Sequence, residues 1–218
     1  MAKKRYTANK DNIITNGFNY TLNTRGTGSN MGYADSLEVY SIYGQASSSN
    51  LGRSQEIART LVAFPVNEIA TDRTAGSIPV SGSVSFYMRM FNVETAFTLP
   101  QDFTLKVYPV SQSWAEGTGL DMEEYSDLGA SNWLQRGGAG HLSTASWGRQ
   151  NESSFEPSGR RGPGGHYYFS PSFSASFPQG YEDLDINVTP LVEEWIAGTK
   201  VNNGVIIKLT GSQEAYHS

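Results

Sequence analysis

An all-β fold, a jelly-roll-like antiparallel β-sandwich, is what this sequence predicts, and three observations point to it. Apolar residues recur with a period of two in short runs. Glycine, proline, asparagine and serine punctuate those runs, and stripes at helical spacing are nearly absent. Strands spaced this way, with little helix between them, belong to a sandwich rather than to a parallel α/β sheet. The 218 residues suit one such domain. A chain of this length buries roughly 70% of its unfolded surface, so its core needs no disulfide or metal.

The elements follow in chain order. Residues 1–7 form a basic N-terminal arm, and no apolar run follows it, so no secretory signal is read there. Lys3, Lys4 and Arg5 could meet an acidic partner surface, although a frayed terminus is the ordinary reading. A single sandwich domain is expected over residues 8–210. Within it Ser36 to Ile42 alternates, and Val84 to Phe91 puts Val84, Phe86, Met88 and Met90 on one face. Phe103 to Tyr108 and Leu184 to Val188 alternate cleanly, while Val205 to Leu209 is a continuous apolar run. Phe64, Phe86, Val107, Leu191 and Trp195 are the expected core.

One short helix is predicted near residues 190–197. Thr189 is its expected hydroxyl cap, Pro190 fits the first helical position, and Glu193 and Glu194 lie towards the positive end of its dipole. Leu191, Val192 and Trp195 make its apolar stripe, and Gly198 stands where a left-handed residue would end it. A second, weaker helix is read over Arg53 to Ala58. Loops are expected at Thr24 to Gly32 and Ala46 to Gly52, with a long connection at 136–180 and a tail at 211–218.

Composition excludes several chemistries. There is no cysteine, hence no disulfide scaffold, thiolate nucleophile or cysteine-based zinc site. Sixteen basic against 21 acidic side chains give a net charge of −5, which argues against nucleic acid as a partner. The longest apolar runs are strand-sized, so no membrane insertion is expected. His141, His166 and His217 are far apart and match no metal-binding spacing. Glu116, Asp121, Glu123, Glu124 and Asp127 cluster in one loop, and Glu193 and Glu194, adjacent on the helix, point in different directions. They read as solvated turn charges, with a structural calcium ion in the 121–127 loop as the alternative and no other cofactor expected. An acid pair using Glu116 for glycoside hydrolysis is the remaining enzymatic reading, and it ranks below both.

Aromatic and basic residues supply the binding candidates. Trp114, Trp133 and Trp147, with Tyr167 and Tyr168, could stack on sugars or line an interface, whereas core or rim packing is the alternative for each tryptophan. Arg160 and Arg161, in a glycine-rich loop, could contact an acidic partner or form a solvated turn.

Taken together these motifs resemble the DNRLRE-type β-sandwich domain, which is similar in form to carbohydrate-binding modules. The resemblance rests on Asn12-Ile13-Ile14, Asn30-Met31-Gly32, Leu37-Glu38-Val39, and Arg59 opening a strand that ends at Phe64. It continues through Trp114-Ala115-Glu116-Gly117, Asn132-Trp133, Trp147 and Gly164-Gly165-His166-Tyr167. The fullest match is Asn187-Val188-Thr189-Pro190-Leu191-Val192-Glu193-Glu194-Trp195-Ile196-Ala197-Gly198, followed by Asn203-Gly204-Val205. Asn187 and His166 stand where the family pattern has aspartate, and residues 150–163 look inserted. The resemblance also implies one further strand after Ser218, from a continuing chain or from another subunit. The opening residues, Lys4 to Asn16 and Thr24 to Gly32, are similar to the start of structural proteins of tailed bacteriophages.

These readings converge on a non-enzymatic virion structural protein: a capsid decoration, head fibre, collar or tail component. Its expected partners are copies of itself and other virion proteins, and it would be synthesised in the host cytoplasm. The alternative is a carbohydrate-binding adhesion module whose partners are cell-surface glycans.

Overall fold

A computed structural model describes residues 3–19, 24–42, 55–96, 98–120, 129–137, 145–147, 155–156, 159–160 and 163–214. Its strands are β1 (Lys10–Thr15), β2 (Tyr40–Ile42), β3 (Glu56–Ala63), β4 (Tyr87–Met90), β5 (Phe103–Pro109), β6 (Phe155–Glu156), β7 (Gly159–Arg160), β8 (Tyr167–Tyr168), β9 (Phe173–Phe177), β10 (Leu184–Asn187) and β11 (Val205–Leu209). The helices are α1 (Val66–Thr74), α2 (Thr189–Ile196) and α3 (Gly211–Glu214).

The architecture is an antiparallel β-sandwich. Its large sheet has the order β1-β3-β11-β5-β9, with β2 also paired to β3. The second sheet is the pair β10-β4, and β6-β7-β8 form a small ribbon. Pairing partners lie far apart in sequence, as when β11 is inserted between β3 and β5. The five alternating or continuous runs read from the sequence all contain strands.

The large sheet is covered on both faces. On one, Val62, Val107, Val205 and Ile207 meet Met88 of β4, Ile186 of β10 and the buried sides of α1 and α2. On the other, Leu61, Ile14 and Ile206 meet Trp114, Trp133 and Trp147, which arrive on irregular chain, and Tyr167 of β8. Double burial explains β3. All eight of its residues are buried, so they show no alternation. The helix read over Arg53 to Ala58 is therefore corrected: Glu56-Ile57-Ala58-Arg59 contains good helix formers, but pairing on both sides overrides that preference.

Helix α2 forms where it was read, with a different cap. The Thr189 amide donates to Asn187 Oδ1 at 3.0 Å, so the side chain two residues back closes the first turn. The Thr189 hydroxyl instead accepts the Phe86 amide at 2.8 Å and ties the helix to the lead-in of β4. Gly198 takes a positive φ of 71° and ends the helix as expected. Glu193 points to α1 rather than to its own dipole, and receives both guanidinium nitrogens of Arg73 at 2.7 Å.

Further expectations need correction. Beside α2, the described residues hold two helices that the sequence did not suggest, α1 and α3. Pro65 ends β3 because it cannot donate to a ladder, and Val66 and Ile69, three residues apart, bury one side of α1. The supposed 136–180 connection contains β9, whose Phe173 and Phe177 face the core beside Val107 and Phe103. The tail read at 211–218 begins with α3, and Glu214 is buried. Of the five expected core residues, Val107, Leu191 and Trp195 are buried. Phe64 and Phe86 are partly buried against the same cluster.

Leu191 is fully enclosed between the two sheets and the helices. Leu191→Ala is expected to lower unfolding stability by about 2–5 kcal/mol in urea titration, through lost transfer energy and the cavity left behind. The exposed control Val201→Ala is expected to stay within about 0.5 kcal/mol.

Candidate functional site

Several of the polar residues that stand in the sequence motifs are engaged inside the fold. Asn12 donates to Ser131 O and Oγ at 2.8 and 2.7 Å, and its Oδ1 accepts the Met31 amide at 3.0 Å. Asn30 donates to Glu116 O and Ser131 O at 2.6 and 2.7 Å, and accepts the amides of Gly32 and Gly119. Glu116 Oε1 accepts the Asp11 amide at 2.7 Å. The motifs Asn30-Met31-Gly32 and Trp114-Ala115-Glu116-Gly117 therefore lock onto each other. Gly117, at φ 84°, leaves no room for a Cβ beside the Asn30 side chain and Ala130.

Lys10 reaches over the same layer. Its Nζ lies 3.9 Å from the centre of the Trp114 ring and donates to Trp114 O at 2.6 Å. Burial holds the Lys10 ammonium below its ordinary pKa, and the Glu116 charge only partly offsets this. Burial, then the charge of Glu116, pushes the Asp11 carboxyl above its own. Ser111 Oγ contacts His166 Nδ1, and the Ser111 amide bonds to His166 O. That pair belongs to the seam joining the end of β5 to β8.

A group of deeply buried charges gathers around Arg59 of β3. Arg59 is 1% exposed, Lys208 of β11 4% and Glu214 of α3 6%. Arg59 Nε and Nη2 grip both Glu214 oxygens at 2.9 and 2.7 Å, while Nη1 donates to Gly164 O at 2.5 Å. Its guanidinium lies 5.0 Å from the Trp133 ring centre. Lys208 Nζ stands 2.8 Å from the second Glu214 oxygen. Burial by itself would raise the Glu214 carboxyl; the charge and hydrogen bonds of Arg59, then Lys208, outweigh it and hold the group below its ordinary value.

The tryptophans belong to the interior. Trp114, Trp133, Trp147 and Tyr167 are buried, so they offer no open ring face to a sugar, and the sugar-stacking expectation for these four is corrected. The Trp114 and Trp147 indoles donate to Asn203 O and Asn132 O, both at 2.8 Å. Tyr168 is half-buried, with Lys200 Nζ 4.8 Å from its ring centre.

The basic arm turns back on its own domain. Lys4 Nζ lies 2.5 Å from Asp72 Oδ2, and the Tyr6 hydroxyl donates to the same oxygen at 2.6 Å. Lys3 and Arg5 are exposed. The side chains of Arg160 and Arg161, the 121–127 acidic loop, His141 and His217 lie outside the described residues.

Among the described residues, exposed aromatic and charged side chains gather on the outside of the β4–β10 sheet. Met88 and Ile186 point inwards, so Tyr87, Arg89 and Phe91 line the outer face of β4, with Asp185 opposite Arg89. Tyr87 is 62% and Phe91 71% exposed. Arg89 pairs with Asp185 at 3.6 Å and lies 5.5 Å from the Phe91 ring centre. Asn92 holds the turn between β9 and β10 alongside, donating to Gly180 O and Asp183 Oδ1 at 3.1 Å, and exposed Tyr181 and Val93 extend the patch. Sequence reasoning favoured the tryptophans and passed over Tyr87 and Phe91. The signal was nevertheless present, because they occupy the odd positions of the same alternating run.

No known relative places this surface. No family model matches the chain, and no curated protein or solved structure is similar to it. Among the described residues no helix is long and apolar enough to cross a membrane, and no group of three metal-ligating side chains comes together.

Two predictions follow from these ion pairs. Glu214→Gln leaves two buried cations facing a neutral amide and is expected to cost about 3–5 kcal/mol by urea titration. Because the Glu214 carboxyl is depressed in the fold, its contribution is complete above the unfolded value of about 4.3 and is lost as pH falls through the folded one. The wild type should therefore lose more stability below that pH than E214Q does. In the arm, burial, then the hydrogen bond to Asp72, pushes the Tyr6 hydroxyl up to about 12. Its contribution is complete below about 10 and is lost as pH rises towards 12. Difference absorbance should show a late-titrating tyrosine that Asp72→Asn moves back towards 10.

Proposed function

We propose that this chain is a non-enzymatic structural protein of a virion, a component of a tailed bacteriophage that works through subunit contacts. The observation that carries the reading is the exposed aromatic face of β4. Tyr87 and Phe91 stand exposed on the outside of the β4–β10 sheet while the motif residues around Asn30, Glu116 and Trp133 are engaged within the fold. Large rings held out on a paired strand suit a contact surface, because aromatic side chains carry much contact area with few rotatable bonds. The similarity of Lys4 to Asn16 and Thr24 to Gly32 to the opening of tailed-phage structural proteins supports the same reading. So does the resemblance of the motif order to DNRLRE-type domains.

Purified particles from lysed producing cells provide the test. Peptides of this chain are expected in intact, nuclease-treated particles at a fixed ratio to the major capsid protein, with antibody labelling at one location by electron microscopy. Its absence from particles while abundant in the lysate would overturn the proposal.

A second reading has its own observation. Tyr87 and Phe91 flank Arg89 and Asp185, so ring faces and hydrogen-bonding groups share one surface, as sugar recognition requires. It predicts glycan binding at roughly micromolar to millimolar Kd, abolished by Tyr87→Ala and Phe91→Ala on a glycan array. Binding that survives both changes would remove it from this face.

A further inference from the structure

The basic arm and the helix beneath it carry more charge than they use on each other. Tyr6 and Ala8 pack against the core, and the Asn9 amide donates to Ala63 O at 3.0 Å, so the chain is fixed from Tyr6 onwards. Ahead of Tyr6 only Lys4 meets an acid, and that pair is open to water: the Lys4 side chain is 46% exposed and that of Asp72 22%. A surface ion pair of this kind contributes little. Among the described residues Lys3 and Arg5 have no ion-pair partner, and neither has Glu68, one helical turn before Asp72 on α1. Arg5 and Glu68 line the same cleft of about 450 Å³ without meeting. The tether at Tyr6 thus leaves charges of both signs unpaired within one copy.

We propose that the arm, Lys3 to Arg5, leaves its own helix and lies along α1 of a second copy of this chain, the two copies exchanging arms about a twofold axis. The proposal rests on the structural-protein reading above, and names a partner and a further surface for it. Spacing supports the exchange. In an extended segment Lys3 and Arg5 fall on one side, about 6.6 Å apart. Glu68 and Asp72 stand about 6 Å apart along one side of the helix. A neighbour's arm, free of the tether, can set both cations over both acids, which the copy's own arm does not do. Each acidic stripe then meets an arm and not the other stripe, so like charges stay separated. Three basic side chains on each arm face two acids on each helix, and a twofold exchange makes this attractive contact twice. A contact built from exposed charges is weak singly and salt-sensitive, and repetition in a particle would reinforce it.

Cross-linking of the wild-type chain tests this without any substitution. Equal amounts of unlabelled and isotope-labelled chain, treated with a zero-length carbodiimide, should join Lys3 or Lys4 to Glu68 between copies, giving cross-linked peptides of mixed isotopic mass. Charge reversal tests it in solution. Glu68→Lys with Asp72→Lys in one variant, and Lys3→Glu, Lys4→Glu and Arg5→Glu in another, give each chain an arm and a helix of the same sign. Each variant alone is expected to be monomeric by sedimentation equilibrium. Their equimolar mixture should associate about tenfold or more tightly than either alone, and added salt should dissociate it. Cross-links confined to single copies would overturn the proposal, as would a mixture that stays monomeric at millimolar concentration. So would a wild-type dimer that either variant retains. The outcome is separable from that of the virion reading: a monomer found in particles defeats this exchange only, and an arm-exchanged dimer missing from particles defeats the virion reading only.

Discussion

A strand buried on both faces along its whole length sets the terms for the rest of this fold. β3 has no solvent side, so everything it carries must be matched from within. It carries a guanidinium at Arg59. A charge there is tolerable only with a counter-charge of good geometry and filled hydrogen-bonding positions. Glu214 supplies both of its oxygens, Gly164 a carbonyl, and Trp133 a ring. The end of the described chain is thereby recruited to the middle of the sheet, and the Trp133 layer is fastened by the same residue.

The two coverings of the sheet differ in kind. Towards α1 and α2 the cover is regular structure with an aliphatic interior, fastened by the Arg73–Glu193 fork. On the opposite side the cover is mostly irregular chain beside the short strand β8, held by large rings and by asparagine side chains. An irregular segment can be buried only when its amides and carbonyls find partners, which Asn12, Asn30 and Asn132 provide. This explains why the Asn-x-Gly and Trp-x-Glu-Gly motifs stand out in the sequence: they fasten the irregular part of that layer.

Legibility followed the periodicity. Half-buried strands such as Phe103–Pro109 and Leu184–Asn187 could be read because one face is apolar and the other is not. β3 was legible only in part. The resemblance placed a strand from Arg59 to Phe64, but Glu56 to Ala58 read as helix, since double burial erases alternation and those residue types favour a helix in isolation. α1 was hidden by a mostly polar composition: only Val66 and Ile69 among its nine residues are buried. α3 exists for the sake of Glu214, a tertiary partner 155 residues from Arg59, and no local signal reports that distance. On the candidate face the exposed rings are not the tryptophans singled out in the sequence. Tryptophans are large enough to be placed inside by preference, whereas Tyr87 and Phe91 were left outside by the pleat that buries Met88.

The central claim is that β3 and α3 form one cooperative unit through Arg59 and Glu214, and native-state hydrogen exchange tests it most directly. The amides of Glu56–Ala63 should be among the slowest in the chain, and the Glu214 amide, bonded to Thr210 O, should exchange only by the same opening, with matching denaturant dependence. An α3 that exchanges freely while β3 stays protected would contradict the account.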